Sequence, residues 1–228
     1  MSGWSPGPGV ALGLELSAGA GSVAGRRGDK LVVRALASQR AHAADLVAQI
    51  ADALRELAAR PQDLEAIVVG LGPGSFTGLR VAAAAALGLA RGAGAVLRGV
   101  ASVEALARAH LRPGECGGVL LDARAQEFYV ALYERSAEGL IVRAAPRVAR
   151  AAELASHLAP ARVLIADDDV VRAAGLDPTA FERCVAPTPS ASLTLELGLE
   201  ELARHGPHEP SAIEPLYLRA FAATRRKA

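Results

Sequence analysis

Apolar and polar positions divide the chain into short strand-like runs and longer segments with helical spacing. In the first hundred residues, strand-like patterning occurs over residues 10–16, 22–26, 30–37, 64–70 and 95–100. Residues 41–59 instead place Leu46 and Ile50 on one side and charged residues on the other, which predicts an amphipathic helix. A second helix is predicted over residues 78–92. The first half is therefore expected to run β-β-β-α-β-α.

The same order of elements recurs in the second half of the chain. Strands are predicted over residues 118–122, 127–134, 140–144 and 163–166, and helices over residues 151–158, 170–174 and 190–204. A helix that Ser102 is expected to cap joins the two halves. Two β-β-β-α-β-α halves are the α/β architecture of the actin-like (ASKHA) fold, in which nucleotide binds between the halves. We predict one half over residues 1–101 and another over residues 102–228, with the late helix packing back on the first.

A glycine-rich loop connects a predicted strand to the second helix, with the sequence Gly70-Leu71-Gly72-Pro73-Gly74-Ser75-Phe76-Thr77-Gly78-Leu79-Arg80. Gly72 and Gly74 permit positive φ angles or close approach of another backbone. Ser75 or Thr77 can cap the first turn of the helix, whose N-terminal N–H groups attract anions. The pattern fits phosphate binding and tight packing equally well.

Three known motifs do not fit this loop. A Walker A loop needs a lysine that the loop lacks, and the dinucleotide-binding fingerprint needs a third glycine where Thr77 stands. A nucleophile elbow around Ser75 needs glycines where Pro73 and Thr77 stand. Ser75 is therefore expected to cap the helix rather than to act as a nucleophile.

The helix over residues 78–92 is rich in alanine, and Arg80 and Arg91 are its only charged residues. Such a helix is normally buried on more than one side. It is either a central helix of the core, or it packs one face on the sheet and the other on a partner subunit. Its apolar run is shorter than the roughly 20 residues that span a membrane. The candidate partner-interface residues are Leu46, Ile50, Arg80, Val81, Ala84, Ala85 and Leu87.

Two strand ends carry polar residues that could bind a ligand or face a complex. In the actin-like group the first hairpin begins with Asp and small hydroxyl residues, whereas Glu15-Leu16-Ser17-Ala18-Gly19 stands here and makes a poor phosphate cradle. At the next hairpin, Asp122 and Arg124 either lock the turn as a pair or form part of a functional surface. The candidate nucleotide or complex-site residues are Glu15, Gly72, Gly74, Ser75, Thr77, Asp122, Arg124 and Glu127.

No metal site is predicted from the sequence. His42 lacks a second ligand at the fourth following position, where Leu46 stands. Asp167, Asp168 and Asp169 follow a strand, but consecutive acids seldom converge on one ion. A solvated turn or the start of a helix is expected there.

Composition narrows the class of protein. The 228 residues are 51% apolar and carry a formal net charge of +1, which argues against a dedicated nucleic-acid-binding domain. The two cysteines have no metal-like spacing and fit a reducing compartment. Residues 1–9 lack the basic segment of a signal peptide, so a cytoplasmic location is expected.

The glycine-rich loop resembles the signature of the TsaB (YeaZ) family, whose members are tRNA threonylcarbamoyladenosine biosynthesis proteins. Further matches occur in the family's order at residues 15–23, His42, Asp122-Ala123-Arg124 with Glu127 and Tyr129, and Glu214-Pro215-Leu216-Tyr217-Leu218-Arg219. Residues 145–210 match only in general pattern.

This resemblance implies an actin-like fold and a role in forming N6-threonylcarbamoyladenosine (t6A) at position 37 of tRNAs that read codons beginning with A. It implies a subunit without catalytic or metal-binding residues of its own. Such a subunit pairs with a TsaD-like catalytic subunit, helps form the docking site of a TsaE-like ATPase, and meets tRNA indirectly through the complex. The resemblance leaves open whether ATP or ADP binds at an interface of that complex, and whether the isolated chain is a homodimer.

The chain departs from the family at the first hairpin, where Asp-Thr-Ala-Thr is common and Glu15-Leu16-Ser17-Ala18 stands. This departure argues against nucleotide binding in its own cleft. A different class of function, a stand-alone ATPase, kinase or peptidase of the same fold, would need an intact phosphate hairpin or a nucleophile with its base. The partner-subunit interpretation needs an apolar helix available to a second protein, which residues 78–92 supply.

Overall fold

The computed structural model describes residues 4–5, 7–18, 21–37 and 42–218, apart from the side chain of His42. Gly19 of the first hairpin, the side chain of His42 and Arg219 of the last matching segment lie outside the described residues.

The first half is built on a five-stranded sheet. Its strands are β1 (Val10–Glu15), β2 (Ser22–Arg27), β3 (Lys30–Ala35), β4 (Leu64–Gly70) and β5 (Val96–Val100), in the order β3-β2-β1-β4-β5. The pairs β1–β2 and β2–β3 are antiparallel, whereas β1–β4 and β4–β5 are parallel. Because β1 and β4 are adjacent and parallel, the β1–β2 hairpin and the C-terminal end of β4 lie next to each other at the same end of the strands.

A second five-stranded sheet has the same plan. Its strands are β6 (Cys116–Asp122), β7 (Glu127–Arg135), β8 (Leu140–Arg150), β9 (Val163–Ile165) and β10 (Arg183–Val185), in the order β10-β9-β6-β7-β8. Here β6–β7 and β7–β8 are antiparallel, and β6–β9 and β9–β10 are parallel. The predicted β-β-β-α-β-α order is confirmed in both halves.

Helices cover both faces of each sheet. They are α1 (His42–Glu56), α2 (Phe76–Ala93), α3 (Ser102–His110), α4 (Ala151–Leu158), α5 (Asp168–Ala173) and α6 (Ala191–His205). Helices α1 and α2 pack on one face of the first sheet, and α6 packs on the other face. In the second sheet α3 covers one face, while α4 and α5 cover the other.

Helices α3 and α6 lie between the two sheets and contact each other. The Nε atom of Arg108 on α3 donates to Glu200 on α6 at 3.2 Å. On the first sheet, Arg98 of β5 pairs with Glu201 of α6 at 2.8 Å. Because α6 follows the second sheet in sequence but packs on the first, the chain crosses between the halves twice.

Several local predictions differ from the structure. Helix α2 begins at Phe76, two residues before the predicted start. Strand β8 continues to Arg150 instead of ending at residue 144. It can include Pro146 because β8 is an edge strand, where a residue without an N–H is tolerated on the side that has no neighbouring strand. Ser102 does not cap α3; its Oγ accepts a hydrogen bond from the backbone N–H of Gly72 at 3.1 Å instead.

Candidate functional site

The glycine-rich loop runs from the end of β4 into α2. Ser75 is the N-cap residue of α2, as predicted, and its Oγ accepts from the backbone N–H of Gly78 at 3.2 Å. Gly72 has a φ angle of 93°, a conformation that favours glycine. Two hydrogen bonds tie the loop to the start of α3: the backbone N–H of Ser102 donates to the carbonyl oxygen of Gly72, and the backbone N–H of Gly72 donates to the Oγ of Ser102.

The glycines of this loop serve close packing against the β1–β2 hairpin. A Cβ atom at Gly74 would overlap the carbonyl oxygen of Ser17, and one at Gly78 would overlap that of Leu16. The backbone N–H of Ser75 donates to the carbonyl oxygen of Ser17 at 2.7 Å. Of the two interpretations left open by the sequence, the structure favours tight packing over a phosphate cradle.

Glu15 is an internal residue with only 1% of its surface exposed. Its carboxylate accepts hydrogen bonds from the backbone N–H of Ser17 at 2.8 Å and from the hydroxyl of Thr194 on α6 at 2.7 Å. A Cβ atom at Gly70 would overlap this carboxylate, so a side chain there would force the Glu15 carboxylate to move. Glu15 therefore joins the hairpin to α6 and would have to give up both bonds to contact a ligand.

The second candidate site is the tight turn between β6 and β7. Oδ1 of Asp122 accepts from the backbone N–H of Arg124 at 2.7 Å, and Oδ2 of Asp122 lies 3.4 Å from the Arg124 guanidinium. Arg124, Ala125 and Gln126 have φ angles of 69°, 54° and 60°. Three consecutive non-glycine residues in the left-handed region of backbone conformation cost free energy. The side chain of Arg124 in this turn is 86% exposed.

An open depression of about 610 Å³ borders this turn. Gln126, Glu127 and Arg150 line it together with the first residues of α4. Within the described chain, no hydrogen bond or ion pair joins this turn to Glu15. The candidate nucleotide residues thus lie on two elements, the glycine-rich loop with the β1–β2 hairpin and the β6–β7 turn. Glu15 is buried, whereas Ser75, Thr77 and Arg124 are exposed.

No group of three or more His, Cys, Asp or Glu side chains that could hold a metal ion occurs among the described residues. Asp168 and Asp169 lie in the first turn of α5, as the expectation of a helix start required. Burial and the charges of these two neighbours raise the pKa of Asp167. Within the same described part, no helix is long and apolar enough to cross a membrane.

Two predicted interface residues prove to be core residues. Leu46 and Ile50 are 1% and 6% exposed and pack under α1 against the first sheet. The prediction was wrong because an amphipathic helix turns its large aliphatic side chains to its own sheet. The exposed side of α1 carries instead Ala44, Val47, Ala48 and Ala51, and Val47 is 64% exposed.

Helix α2 has one side buried against the sheet and one exposed side. Ala82, Ala83, Ala86 and Ala90 face the sheet. Arg80, Ala84 and Gly88 are exposed, while Val81, Ala85 and Leu87 are half-buried at the margins. We give the name outer face to seven of the exposed residues of the two helices, namely Ala44, Val47, Ala48 and Ala51 of α1 and Arg80, Ala84 and Gly88 of α2. The exposed charged residues Arg55, Glu56 and Arg91 lie toward the C-terminal ends of the helices and are not part of it.

The last described segment also reaches α2, which the sequence did not predict. Tyr217 lies beside Phe76 and Arg80 at the first turns of the helix. The sequence showed only that residues 214–219 match the family. Such a match does not indicate which part of the fold these residues contact.

Comparison with known proteins decides the family. A profile of the family described as TsaD, tRNA N6-adenosine threonylcarbamoyltransferase, matches residues 33–186, well over half of the chain. The chain belongs to the TsaD family. Within that family, it is similar to proteins named TsaB, or YeaZ.

Curated relatives of the TsaB type cover part of the chain. The tRNA threonylcarbamoyladenosine biosynthesis protein TsaB of Escherichia coli is 35% identical over 103 residues, which are 44% of this chain and 45% of that protein. TsaB of Haemophilus influenzae is 36% identical over 121 residues, 52% of this chain and 51% of that protein. The chain spans about half the length of the curated relatives it matches.

Solved structures match nearly the whole chain. An uncharacterized protein of Pseudomonas aeruginosa with similarity to peptidase YeaZ has a TM-score of 0.80 at 25% identity and covers 92% of this chain and 100% of that one. YeaZ from the same organism has a TM-score of 0.75 with the same identity and coverage. These matches confirm the predicted α/β, actin-like fold and the TsaB (YeaZ) resemblance. The chain is thus a TsaB-type member of the TsaD family, a group connected with t6A biosynthesis.

Proposed function

We propose that the chain is a non-catalytic partner subunit in t6A formation and pairs with a TsaD-like catalytic subunit. The observation that carries the proposal is the outer face of α1 and α2, which is exposed and nearly uncharged. In this proposal the chain acts in the cytoplasm, has no cofactor of its own and meets tRNA through the complex. It also helps recruit a TsaE-like ATPase, with ATP or ADP bound at an interface of the assembly.

The composition of the outer face suits a close helix–helix contact. Ala84 and Gly88 lie one turn apart on α2, and a Cβ atom added at Gly88 would have no neighbour within 4 Å. Small side chains let a second backbone approach, and Val47 offers an aliphatic side chain that is largely in water. Of the seven outer-face residues, only Arg80 is charged, so little desolvation of charge opposes association.

The first hairpin supports a role without nucleotide chemistry in this chain. The hairpin backbone occupies the space beside Gly74 and Gly78 of the loop. The Glu15 carboxylate accepts hydrogen bonds from Ser17 and Thr194. Phosphate binding there would place a second anion beside a buried carboxylate. These contacts weigh against the alternative of a stand-alone ATPase or kinase.

A charge placed on the outer face tests the proposal. Ala84→Glu places a larger, charged side chain at the contact, where its carboxylate must lose its hydration and competes for Arg80 one helical turn away, so binding of the TsaD-type protein from the same genome should weaken by about 100-fold or more. Ala155→Glu is the matched control, because Ala155 is also an exposed helical alanine but lies on α4. Calorimetric titration gives the affinities and circular dichroism checks the fold. A folded Ala84→Glu chain that binds like the parent would refute this interface.

The isolated chain tests the alternative. We expect the purified protein neither to hydrolyse ATP nor to modify tRNA. Metal-dependent ATP turnover that Glu15→Ala abolishes would show that the hairpin is a catalytic site and would favour the stand-alone enzyme. Sedimentation of the chain alone shows whether a second copy occupies the outer face when no partner is present, since Ala84→Glu would then produce monomers.

A further inference from the structure

Three side chains form a compact cluster at the first turns of α2. The ring centroids of Phe76 and Tyr217 are 5.1 Å apart, with 43° between the ring planes. The Cζ atom of Arg80 lies 3.9 Å from the Phe76 ring centroid and 5.5 Å from that of Tyr217. Nε of Arg80 donates to the Tyr217 hydroxyl at 2.9 Å. We call these three residues the Arg80 cluster.

Tyr217 is brought to this cluster by a segment that is fixed at several points. The backbone N–H of His208 donates to the carbonyl oxygen of Leu97 at 2.7 Å, alongside β5. Ile213 is buried in the core beneath α2, and the N–H of Leu216 donates to the carbonyl oxygen of Leu71 at 2.8 Å. The tyrosine is therefore held by the fold, although it is 46% exposed.

The cluster orients the guanidinium and leaves its outer nitrogens available. The aromatic rings attract the cation and restrict its rotation. Nε is used by Tyr217, whereas neither Nη1 nor Nη2 has a hydrogen-bond partner within the described part of the chain. A planar pair of such nitrogens matches the two oxygens of a carboxylate. An arginine ordered before binding also loses less entropy when it binds.

The position of the cluster connects it to the outer face. Arg80 precedes Ala84 by one helical turn on the exposed side of α2. A protein that packs closely on Ala84 therefore also covers Arg80. Burying an unpaired guanidinium is costly, so the covering surface must supply an anion.

We propose that Arg80, oriented by Phe76 and Tyr217, is the cationic anchor of the partner-binding face and receives a carboxylate of the TsaD-like subunit. This inference rests on the proposed function. A protein carboxylate is favoured over an RNA phosphate because the neighbouring surface of α2 is small and apolar rather than basic, and the whole chain has a formal net charge of only +1.

Calorimetric titration of the full chain with the TsaD-type protein tests this role. Arg80→Gln should weaken binding at least tenfold and reduce its dependence on salt, because a charged pair is lost. Arg80→Lys should give an intermediate affinity, since an ammonium keeps the charge but not the planar fork. Tyr217→Phe keeps both rings, removes the acceptor for Nε and should weaken binding severalfold. Arg91→Gln, at the other end of α2, is the matched control and should bind like the parent.

The outcomes separate this inference from the proposed function. If Arg80→Gln binds as tightly as the parent while Ala84→Glu does not bind, the carboxylate anchor is wrong and the interface stands. If both variants bind like the parent, the interface itself is wrong. If the chain alone shifts tRNA in a gel and Arg80→Gln removes the shift, the anion is a phosphate and the proposal is overturned. Should Arg80→Gln fail to fold by circular dichroism, parental affinity of Arg80→Lys would equally contradict the fork geometry.

Discussion

Single residues explain why the first hairpin does not resemble a nucleotide site. Glu15 is one methylene longer than the aspartate common in this position, and its carboxylate reaches Thr194 on α6. A side chain at Gly70 would push that carboxylate out of this position. The departure from the family pattern is visible in the sequence. The hydrogen-bond partner Thr194 could not be predicted, because it is 179 positions away in the chain and comes close to Glu15 only in the folded protein.

The packing role of the loop glycines predicts a large difference between two alanine substitutions. Gly74→Ala should lower the free energy of unfolding by about 1–3 kcal/mol or more, because the new Cβ atom overlaps the Ser17 carbonyl oxygen. Gly88→Ala, in the exposed middle of α2, meets no atom within 4 Å and should raise it by up to about 1 kcal/mol. Urea unfolding measures both. Equal stabilities would mean that the loop is not held against the hairpin.

At the level of elements, hydrophobic periodicity predicted most of the fold. The change from alternation in residues 30–37 to helical spacing in residues 41–59 located α1, because these two periods differ clearly. Strand β10 was not predicted, since it has only three residues and none of them is fully buried. The outer face was assigned to the wrong residues of α1, because periodicity identifies the apolar side of a helix and that side belongs to the core.

The segment after α6 behaves as a structural strap along β5. Ile213 is buried in the same core as α2, so Ile213→Ala should lower the free energy of unfolding by about 2–4 kcal/mol. Ser211→Ala, two residues earlier and exposed, should change it by less than about 0.5 kcal/mol. Urea unfolding of the two variants checks this prediction. A mild effect of Ile213→Ala would mean that the strap contributes little to the core, and the placement of Tyr217 would lose its support.

At the scale of the whole molecule, the two sheets are joined through α3 and α6. The carboxyl group of Glu104 on α3 lies in this junction, where burial and the charge of Glu201 raise its pKa, while a backbone hydrogen bond with Ala101 and the charge of Arg98 partly oppose the shift. In the same region, burial and Glu104 raise the pKa of Tyr133. Such couplings depend on tertiary contacts between residues far apart in the chain and cannot be read from sequence spacing.

The Glu104 shift predicts a pH dependence of stability with a definite sign. Because the folded-state pKa lies above the unfolded value, the folded chain binds more protons between the two values, and stability falls as pH rises through that window. Glu104→Gln removes this loss, so its melting temperature should exceed that of the parent at neutral pH and approach it at acid pH. Thermal unfolding at several pH values tests this. A variant that is less stable than the parent at neutral pH would show that the ionised carboxylate is stabilising.

We propose that this chain supports t6A formation without performing the transfer. The most direct measurement is the t6A content of tRNA, determined by mass spectrometry of nucleosides after incubation with a threonylcarbamoyl donor, the TsaD-type and TsaE-type proteins of the same genome, and ATP. We expect t6A with the parent chain or Ala155→Glu, strongly reduced t6A with Ala84→Glu or without the chain, and none with the chain alone. Formation of t6A by the chain alone, or undiminished formation in its absence, would contradict the proposed role.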